Sequence, residues 1–182
     1  IFIGGGGAEE IPAAAARPAR LGPLILTSRG ASLAVKGKIY KACVQRVLVY
    51  GSETWPIRVE DMQRLVRTEK MMVRWMCGVT LKNRISSAEL YSRLDVEAVS
   101  DVVRRGRLRW FGHVERKSHD DGVSACRDLE VEGVKRKGRS RKSWGECVRN
   151  DLTSLGLKRD WALDCARWRG CICGNRPTRA SM

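Results

Sequence analysis

The chain has 182 residues and a formal net charge of +15, from 35 Lys and Arg against 20 Asp and Glu. Its hydrophobic fraction of 43% can build a core, which argues against an intrinsically disordered protein. No apolar run approaches the roughly 20 residues of a membrane span, so we expect no membrane partner. The positive excess favours a polyanion, above all nucleic acid.

Seven cysteines are scattered along the chain, and their number is odd. Cys171 and Cys173 are separated by one residue, whereas zinc ligands are usually separated by roughly two to four. We therefore expect reduced thiols, no metal and no cofactor. The absence of a secretory signal pattern favours an intracellular protein.

Residues 1–33 differ in composition from the rest of the chain. They contain a run of four glycines, a run of four alanines and three of the five prolines. A phosphate-binding loop would need a GxGxxG or GK[ST] spacing, which is missing. We predict a flexible leader that is unrelated to the remainder.

A helical spacing of apolar residues begins at Lys36. The first predicted helix ends near Gly51, a residue type that suits a C-terminal cap. Its predicted inward face consists of Ile39, Tyr40, Cys43, Val44, Val47 and Leu48.

A second helix is predicted over 59–77, with Glu60 and Asp61 in its first turn and Gly78 after its end. In the SETWP segment before it, Pro56 should prevent the first helix from continuing. The predicted inward residues are Met62, Leu65, Val66, Met72, Val73 and Met76.

A capping-box pattern at Ser86 and Glu89 predicts a short helix that ends near Leu94. We expect Asp95 to cap the longer helix that follows. Two helices joined so tightly resemble a helix-turn-helix corner, with the longer helix as the candidate reader.

The longer helix contains VVRRGRLRWFGHVERK, residues 102–117. At helical pitch an apolar stripe should face the core and a cationic row should face a negative partner. A core helix with a merely solvated basic side is the alternative. The candidate phosphate-binding residues are Arg104, Arg105, Arg107 and Arg109. The stripe consists of Val99, Val102, Val103, Gly106, Trp110 and Val114.

The densest charge run is KRKGRSRK, residues 135–142, in which six of eight residues are basic and none is acidic. We predict that it binds phosphate, and a nuclear-localisation signal is a compatible interpretation. Its basic residues are Lys135, Arg136, Lys137, Arg139, Arg141 and Lys142.

Two further helices are predicted after this run. A capping box at Ser143 and Glu146 opens one that Gly156 ends, and the last, about 160–169, should stop at Gly170. Residues 123–134 are ambiguous. The predicted fold is all-α: about six helices in an irregular bundle with a helix-turn-helix-like corner, and no strand.

Five segments, in this order, resemble the C-terminal part of LINE-type non-LTR retrotransposon reverse transcriptases. They are YGSETW (50–55), MMVRWMCGV (71–79), RLRWFGHVER (107–116), GRSRKSW (138–144) and DLTSLGL (151–157). The resemblance implies a thumb-like helical hairpin over 34–80, a basic helical domain over 81–176 and a tail over 177–182. The polymerase palm of that family carries a Tyr-x-Asp-Asp-type motif, and no such motif occurs among these 182 residues.

We therefore predict a non-enzymatic fragment that binds the phosphate backbone of RNA or DNA, takes no small-molecule substrate and is nuclear. The alternatives are a helical protein-interaction module and a non-functional transposon-derived remnant. Trp110 and Phe111 are expected to hold their helix in the core rather than to stack on bases. The full set of predicted structural anchors is Trp55, Trp75, Trp110, Phe111, Trp144 and Trp168.

Overall fold

The computed structural model describes residues 26, 28, 30–118, 121–128 and 142–173. Within these ranges the regular elements are helices and none is a strand, which confirms the all-α prediction. The α-helices are α1 (Leu33–Ile39), α2 (Arg46–Leu48), α3 (Val59–Cys77), α4 (Ser87–Leu94), α5 (Val99–Glu115), α6 (Gly122–Asp128), α7 (Trp144–Leu155) and α8 (Cys165–Ile172). A π-helical segment, Tyr40–Gln45, joins α1 to α2, and two short 3-10 helices span Leu81–Asn83 and Arg159–Leu163. Among the described helices, none is long and apolar enough to cross a membrane.

The chain divides into two compact units, each built from two separate segments. The first unit contains the described residues up to Leu48 together with Lys70–Val96, and the second contains Val49–Glu69 and the described residues from Glu97 onward. The predicted domains, in contrast, are continuous stretches, and their boundary at residue 80 falls inside the first unit. The predicted leader lies mostly outside the described residues.

The core of the first unit forms between the π-helical region, the second half of α3 and α4. Its buried apolar residues are Leu26, Tyr40, Met72, Val73, Met76, Leu90, Leu94 and Val96. Gly37 of α1 lies so close to α4 that an added Cβ would stand 1.9 Å from the carbonyl oxygen of Leu94. The same region buries Lys36, whose Nζ donates a hydrogen bond to the main-chain carbonyl of Met76 at 3.1 Å.

The π-helical segment changes which residues of the first predicted helix face inward. Cys43 and Val47 were expected in the core, but both are exposed, and Gln45 is buried instead. A π-helical turn closes i→i+5 rather than i→i+4 hydrogen bonds, so it holds more residues and rotates the faces that follow. The 3.6-residue period therefore misplaces Cys43 and Val47, while Val44 and Leu48 pack against the core as predicted.

The core of the second unit forms where α5, α7 and α8 pack around the indole of Trp168. Its buried residues are Leu108, Phe111, Val148, Ala162 and Trp168. Trp168 donates through Nε1 to the carbonyl oxygen of Leu108 at 2.9 Å. Gly112 makes room for this ring, because a Cβ there would lie 2.3 Å from Nε1.

The long helix α5 begins differently from the prediction. Asp95 does not cap it; this residue ends α4 in a left-handed conformation with φ of 52°. The first amide of α5, that of Val99, donates instead to the Glu69 carboxylate of α3 at 2.8 Å, and Glu69 is fully buried. A carboxylate at a helix N-terminus is favoured by the unpaired amides and the helix dipole.

The apolar stripe predicted for α5 is also rotated. Val99, Val103 and Val114 are buried as expected, but Val102, Gly106 and Trp110 are only half-buried. Arg107 and Gly112 take interior positions in their place.

The capping signals around α7 are confirmed. Ser143 and Glu146 form the reciprocal capping box, and Gly156 ends the helix with φ of 64°. The predicted last helix is wrong in its limits, because it divides into the 3-10 helix and α8. Asp164 accepts hydrogen bonds from the amides of Ala166 and Arg167 and so starts a new helix, which continues past Gly170.

The predicted aromatic anchors separate into three groups. Trp168 and Phe111 are buried, while Trp110 and Trp144 are half-buried. Trp144 donates through Nε1 to the Glu53 carbonyl at 2.8 Å. The predicted anchor role is corrected for the remaining two, because 51% of Trp55 and 50% of Trp75 are exposed to solvent.

Candidate nucleic-acid interface

The four candidate arginines of α5 occupy different environments. Arg109 is exposed, Arg104 and Arg105 are half-buried, and Arg107 is buried. Successive residues of an α-helix are rotated by about 100°, so arginines this close in sequence spread around the helix. The arginine cluster of the sequence is therefore not a cluster on one face.

Arg104 and Arg105 are paired with carboxylates near the start of α5. Arg104 Nη2 lies 2.6 Å from Asp101 Oδ1, and Arg105 makes a bidentate pair with Glu97. The hydrogen bonds with Glu97 raise the pKa of Arg105. Such solvent-exposed pairs contribute only about 0–1 kcal/mol, so a phosphate group can replace either carboxylate at low cost.

Arg107 has a different role from the predicted one. Only 7% of it is exposed, and its Nη1 donates to Asp151 Oδ2 of α7 at 3.0 Å. Its Nε is buried and has no hydrogen-bond partner. A solvent phosphate cannot reach a side chain in this position. The role of Arg107 is therefore structural, because it joins α5 to α7 beneath the surface.

Asp151 lies on α7, the helix that follows the basic run, and pairs with Arg107 of α5. Burial raises the pKa of its carboxyl group, and the charges of Arg107, Arg104 and Lys142 oppose that rise. Lys142, the last residue of the basic run, directly precedes the N-terminal cap of α7, and the Arg107–Asp151 pair joins α7 to α5, the helix that carries Arg104. We call these four residues, Arg104, Arg107, Lys142 and Asp151, the Asp151 cluster.

The Asp151 cluster has more positive than negative charge. Arg107 is paired with Asp151 and Arg104 with Asp101, so Lys142 is the cation of the cluster that has no salt-bridged carboxylate among the described residues. Lys142 is exposed, and Arg104 keeps about a third of its side chain in solvent (36%). The surface of the cluster can therefore accept an anion without any change in its buried part.

Most of the basic run lies outside the described residues. Lys135, Arg136, Lys137, Arg139 and Arg141 belong to that part, and Lys142 is described. The capping box at Ser143 starts α7 directly after Lys142, so the run leads into a helix whose N-terminal end is fixed.

The aromatic residues beside the arginines face the interior more than the solvent. Phe111 packs against Trp168 and Trp144, with ring centroids 6.0 and 6.4 Å apart. Trp110 is half-buried and lies 5.4 Å from the ring of His113. These positions fit helix packing better than base stacking.

Sequence reasoning missed the acidic partners of the basic residues. Asp101 lies three residues before Arg104, a helical spacing that could have revealed the pair. Asp151 lies 44 residues from Arg107 and has no local signal. In the ranges that the structure covers, no three His, Cys, Asp or Glu side chains come together as a metal site.

Comparison with known proteins gives one similarity of note. The chain is 25% identical to a transposon-derived protein of Caenorhabditis elegans over 127 aligned residues, which cover 66% of this chain. The chain spans 45% of that protein's length. No protein-family profile matches, and no solved structure matches. The similarity supports a transposon origin for this sequence.

Proposed function

We propose that this chain binds the phosphate backbone of nucleic acid through the second unit. The binding surface comprises the exposed part of the Asp151 cluster, the basic run 135–142 that leads into it, and the outer cations Arg105 and Arg109 of α5. The Arg107–Asp151 ion pair carries the proposal, because it holds α5, which bears Arg104 and Arg105, against α7, which begins directly after the basic run. Phosphate binding by such surfaces releases condensed counterions.

We further infer that the parent protein is a LINE-type non-LTR reverse transcriptase. The ordered motifs from Tyr50 to Leu157 and the transposon-derived similarity support this inference. The proposal gives these 182 residues a binding role and no catalytic step. The basic run would also suit nuclear import, since both roles need only an exposed cationic cluster.

The test is fluorescence anisotropy of the full chain with single-stranded RNA, an RNA hairpin and duplex DNA across a salt series. We expect log K to fall linearly with log salt. A double variant, Arg104→Gln with Lys142→Gln, should weaken binding. It should also make the slope of log K against log salt shallower by about 1 to 2, because each lost phosphate contact reduces that slope by about 0.7–0.9.

The matched control removes the same charge elsewhere in the second unit. Lys158 and Arg169 are exposed, and neither has a salt-bridged carboxylate among the described residues. Lys158→Gln with Arg169→Gln should change the slope of log K against log salt much less than Arg104→Gln with Lys142→Gln does. Equal effects of the two double variants would show diffuse attraction without an interface, and absence of binding at low salt would refute the proposed function.

A further inference from the structure

The first unit has its own excess of positive charge. Its described residues include two carboxylates, and both are paired: Glu89 with Arg93 at 2.6 Å and Asp95 with Lys41 at 2.8 Å. Other exposed cations of the same unit have no carboxylate within salt-bridge distance among the described residues; they include Lys70, Lys82 and Arg84. A polyanion can therefore bind here without displacing an internal ion pair.

This unit also exposes a large aromatic surface on α3. Trp75 is 50% exposed and Met71, one turn earlier, is 48% exposed, while the neighbouring Met72 and Met76 are buried. Residues four apart on a helix are neighbours, so the two side chains form one exposed apolar strip. The core of the unit does not use this strip.

Cations flank the strip along the chain, before Met71 and after Trp75. Lys70 is exposed on α3 itself. Arg74, next to Trp75, donates through Nη2 to the carbonyl oxygen of Ile85 at 3.2 Å and so ties the segment that follows α3 back to the helix. That segment contains the exposed Lys82 and Arg84. It is ordered locally by the Asn83 side chain, which accepts from the amide and the hydroxyl of Thr80.

A second exposed tryptophan shows what is specific to this arrangement. Trp55, in the second unit, is 51% exposed, so the two side chains offer similar ring area. However, Trp55 lies over Gly51, and residues 50–61 around it include three acidic residues, Glu53, Glu60 and Asp61, against one basic residue, Arg58. A nucleobase with its phosphates is favoured by an aromatic ring in a net basic stretch, as at Trp75, over one in a net acidic stretch, as at Trp55.

We infer that the first unit contains a separate contact for single-stranded nucleic acid, in which a base stacks on Trp75 and the flanking phosphates bind Lys70, Lys82 and Arg84. The inference rests on the proposed function and extends it. A stacked base must be unpaired to expose its face, whereas the Asp151 cluster offers charge alone and makes no such demand. Stacking is tolerant of sequence, because every base has a π-face.

The experiment compares the full chain with its Trp75→Ala and Trp55→Ala variants, using oligothymidine, oligouridine and a duplex DNA of the same length. Trp75→Ala should weaken binding of the single strands by about tenfold and leave duplex binding nearly unchanged. Trp55→Ala should change neither. Trp75→Phe should retain most of the single-strand affinity, and equal melting temperatures would show that the fold is intact.

The inference is overturned if Trp75→Ala leaves single-strand binding unchanged, or if it weakens single strands and duplex alike. Either result leaves the proposed function standing as long as the wild-type chain binds and the Arg104/Lys142 variant weakens that binding. A wild-type chain that binds none of the three ligands would refute the proposed function instead. The oligothymidine and oligouridine titrations separate DNA from RNA as the preferred strand.

Discussion

The two compact units each bury a cation, and they satisfy it in different ways. Lys36 of the first unit donates to the carbonyl of Met76 at 3.1 Å, in the last turn of α3, where the helix dipole is negative. Arg107 of the second unit donates to the full carboxylate of Asp151 at 3.0 Å. A carbonyl satisfies the donor but leaves the net charge in place, whereas a carboxylate cancels it.

This difference shows why a count of basic residues is a poor measure of a binding surface. The stretch RRGRLR is the most conspicuous cationic motif of the helical part, yet three of its arginines already have carboxylate partners. The first unit has fewer conspicuous motifs, but few acidic residues accompany its cations. The availability of charge thus depends on the acids nearby, which need not be close in sequence.

The largest effect should come from removing the partner of Arg107. Asp151→Ala leaves a buried guanidinium without an acceptor, and we expect the free energy of unfolding to fall by about 3 kcal/mol. Asp151→Asn keeps an acceptor oxygen and removes the charge that burial already disfavours, so its cost should stay below about 1 kcal/mol. Urea unfolding followed by tryptophan fluorescence measures both changes.

The counterpart in the first unit is Lys36→Met, which replaces the cation by an apolar side chain of similar length. It leaves the Met76 carbonyl without this donor, and we expect a loss of about 1 kcal/mol. If Lys36→Met destabilises the fold as much as Asp151→Ala, the dipole of α3 must contribute more stability than one hydrogen bond does. The contrast between the two buried cations would then be lost.

Effects smaller than that of Asp151→Ala are also expected at the two glycines that permit close packing, Gly37 and Gly112. In Gly37→Ala the new Cβ meets the backbone of Leu94, which cannot rotate aside as a side chain can. We expect the free energy of unfolding to fall by about 2 kcal/mol despite the better helix propensity of Ala. In Gly112→Ala the new Cβ meets the Trp168 ring, which can shift only by weakening its hydrogen bond to Leu108. We expect the free energy of unfolding to fall by about 1 kcal/mol. Urea unfolding again gives both values, and a reversed order would show that α4 adjusts more easily than the indole.

The elements predicted correctly are those whose ends are determined by residues nearby in the sequence. Helix α7 has its capping box at Ser143 and its stop at Gly156, and both are formed as the sequence indicates. Helix α3 likewise has its acidic first turn and the following Gly78, with φ of 65°. In each case the residues that determine the end lie within one turn of it.

The errors arise where a distant residue or a change of helix type decides the outcome. The amide of Val99 is capped by Glu69, thirty residues away, so no local cap is needed there. The π-helical segment after Ile39 rotates the inward face by a mechanism that hydrophobic periodicity does not encode. For the candidate site, the surplus of charge was readable from composition, but the burial of Arg107 depends on Asp151 and was not.

The smallest effect we predict is a pair of opposite pH dependences. The hydrogen bond from Lys41 lowers the pKa of Asp95, with Lys38 adding to the effect, so the stability that Asp95 contributes is lost as pH falls through its folded-state value. Burial raises the pKa of Asp151, so the folded state binds that proton more tightly than the unfolded state does. The contribution of Asp151 therefore falls as pH rises above the ordinary range of about 4.

Asp95→Asn and Asp151→Asn separate these two contributions. Asn tolerates the left-handed conformation of residue 95, so that substitution changes charge with little backbone strain. Between about pH 3 and pH 6, the stability difference between wild type and Asp95→Asn should grow with pH, while that between wild type and Asp151→Asn should shrink. Parallel slopes would mean that Arg107, Arg104 and Lys142 together outweigh burial at Asp151.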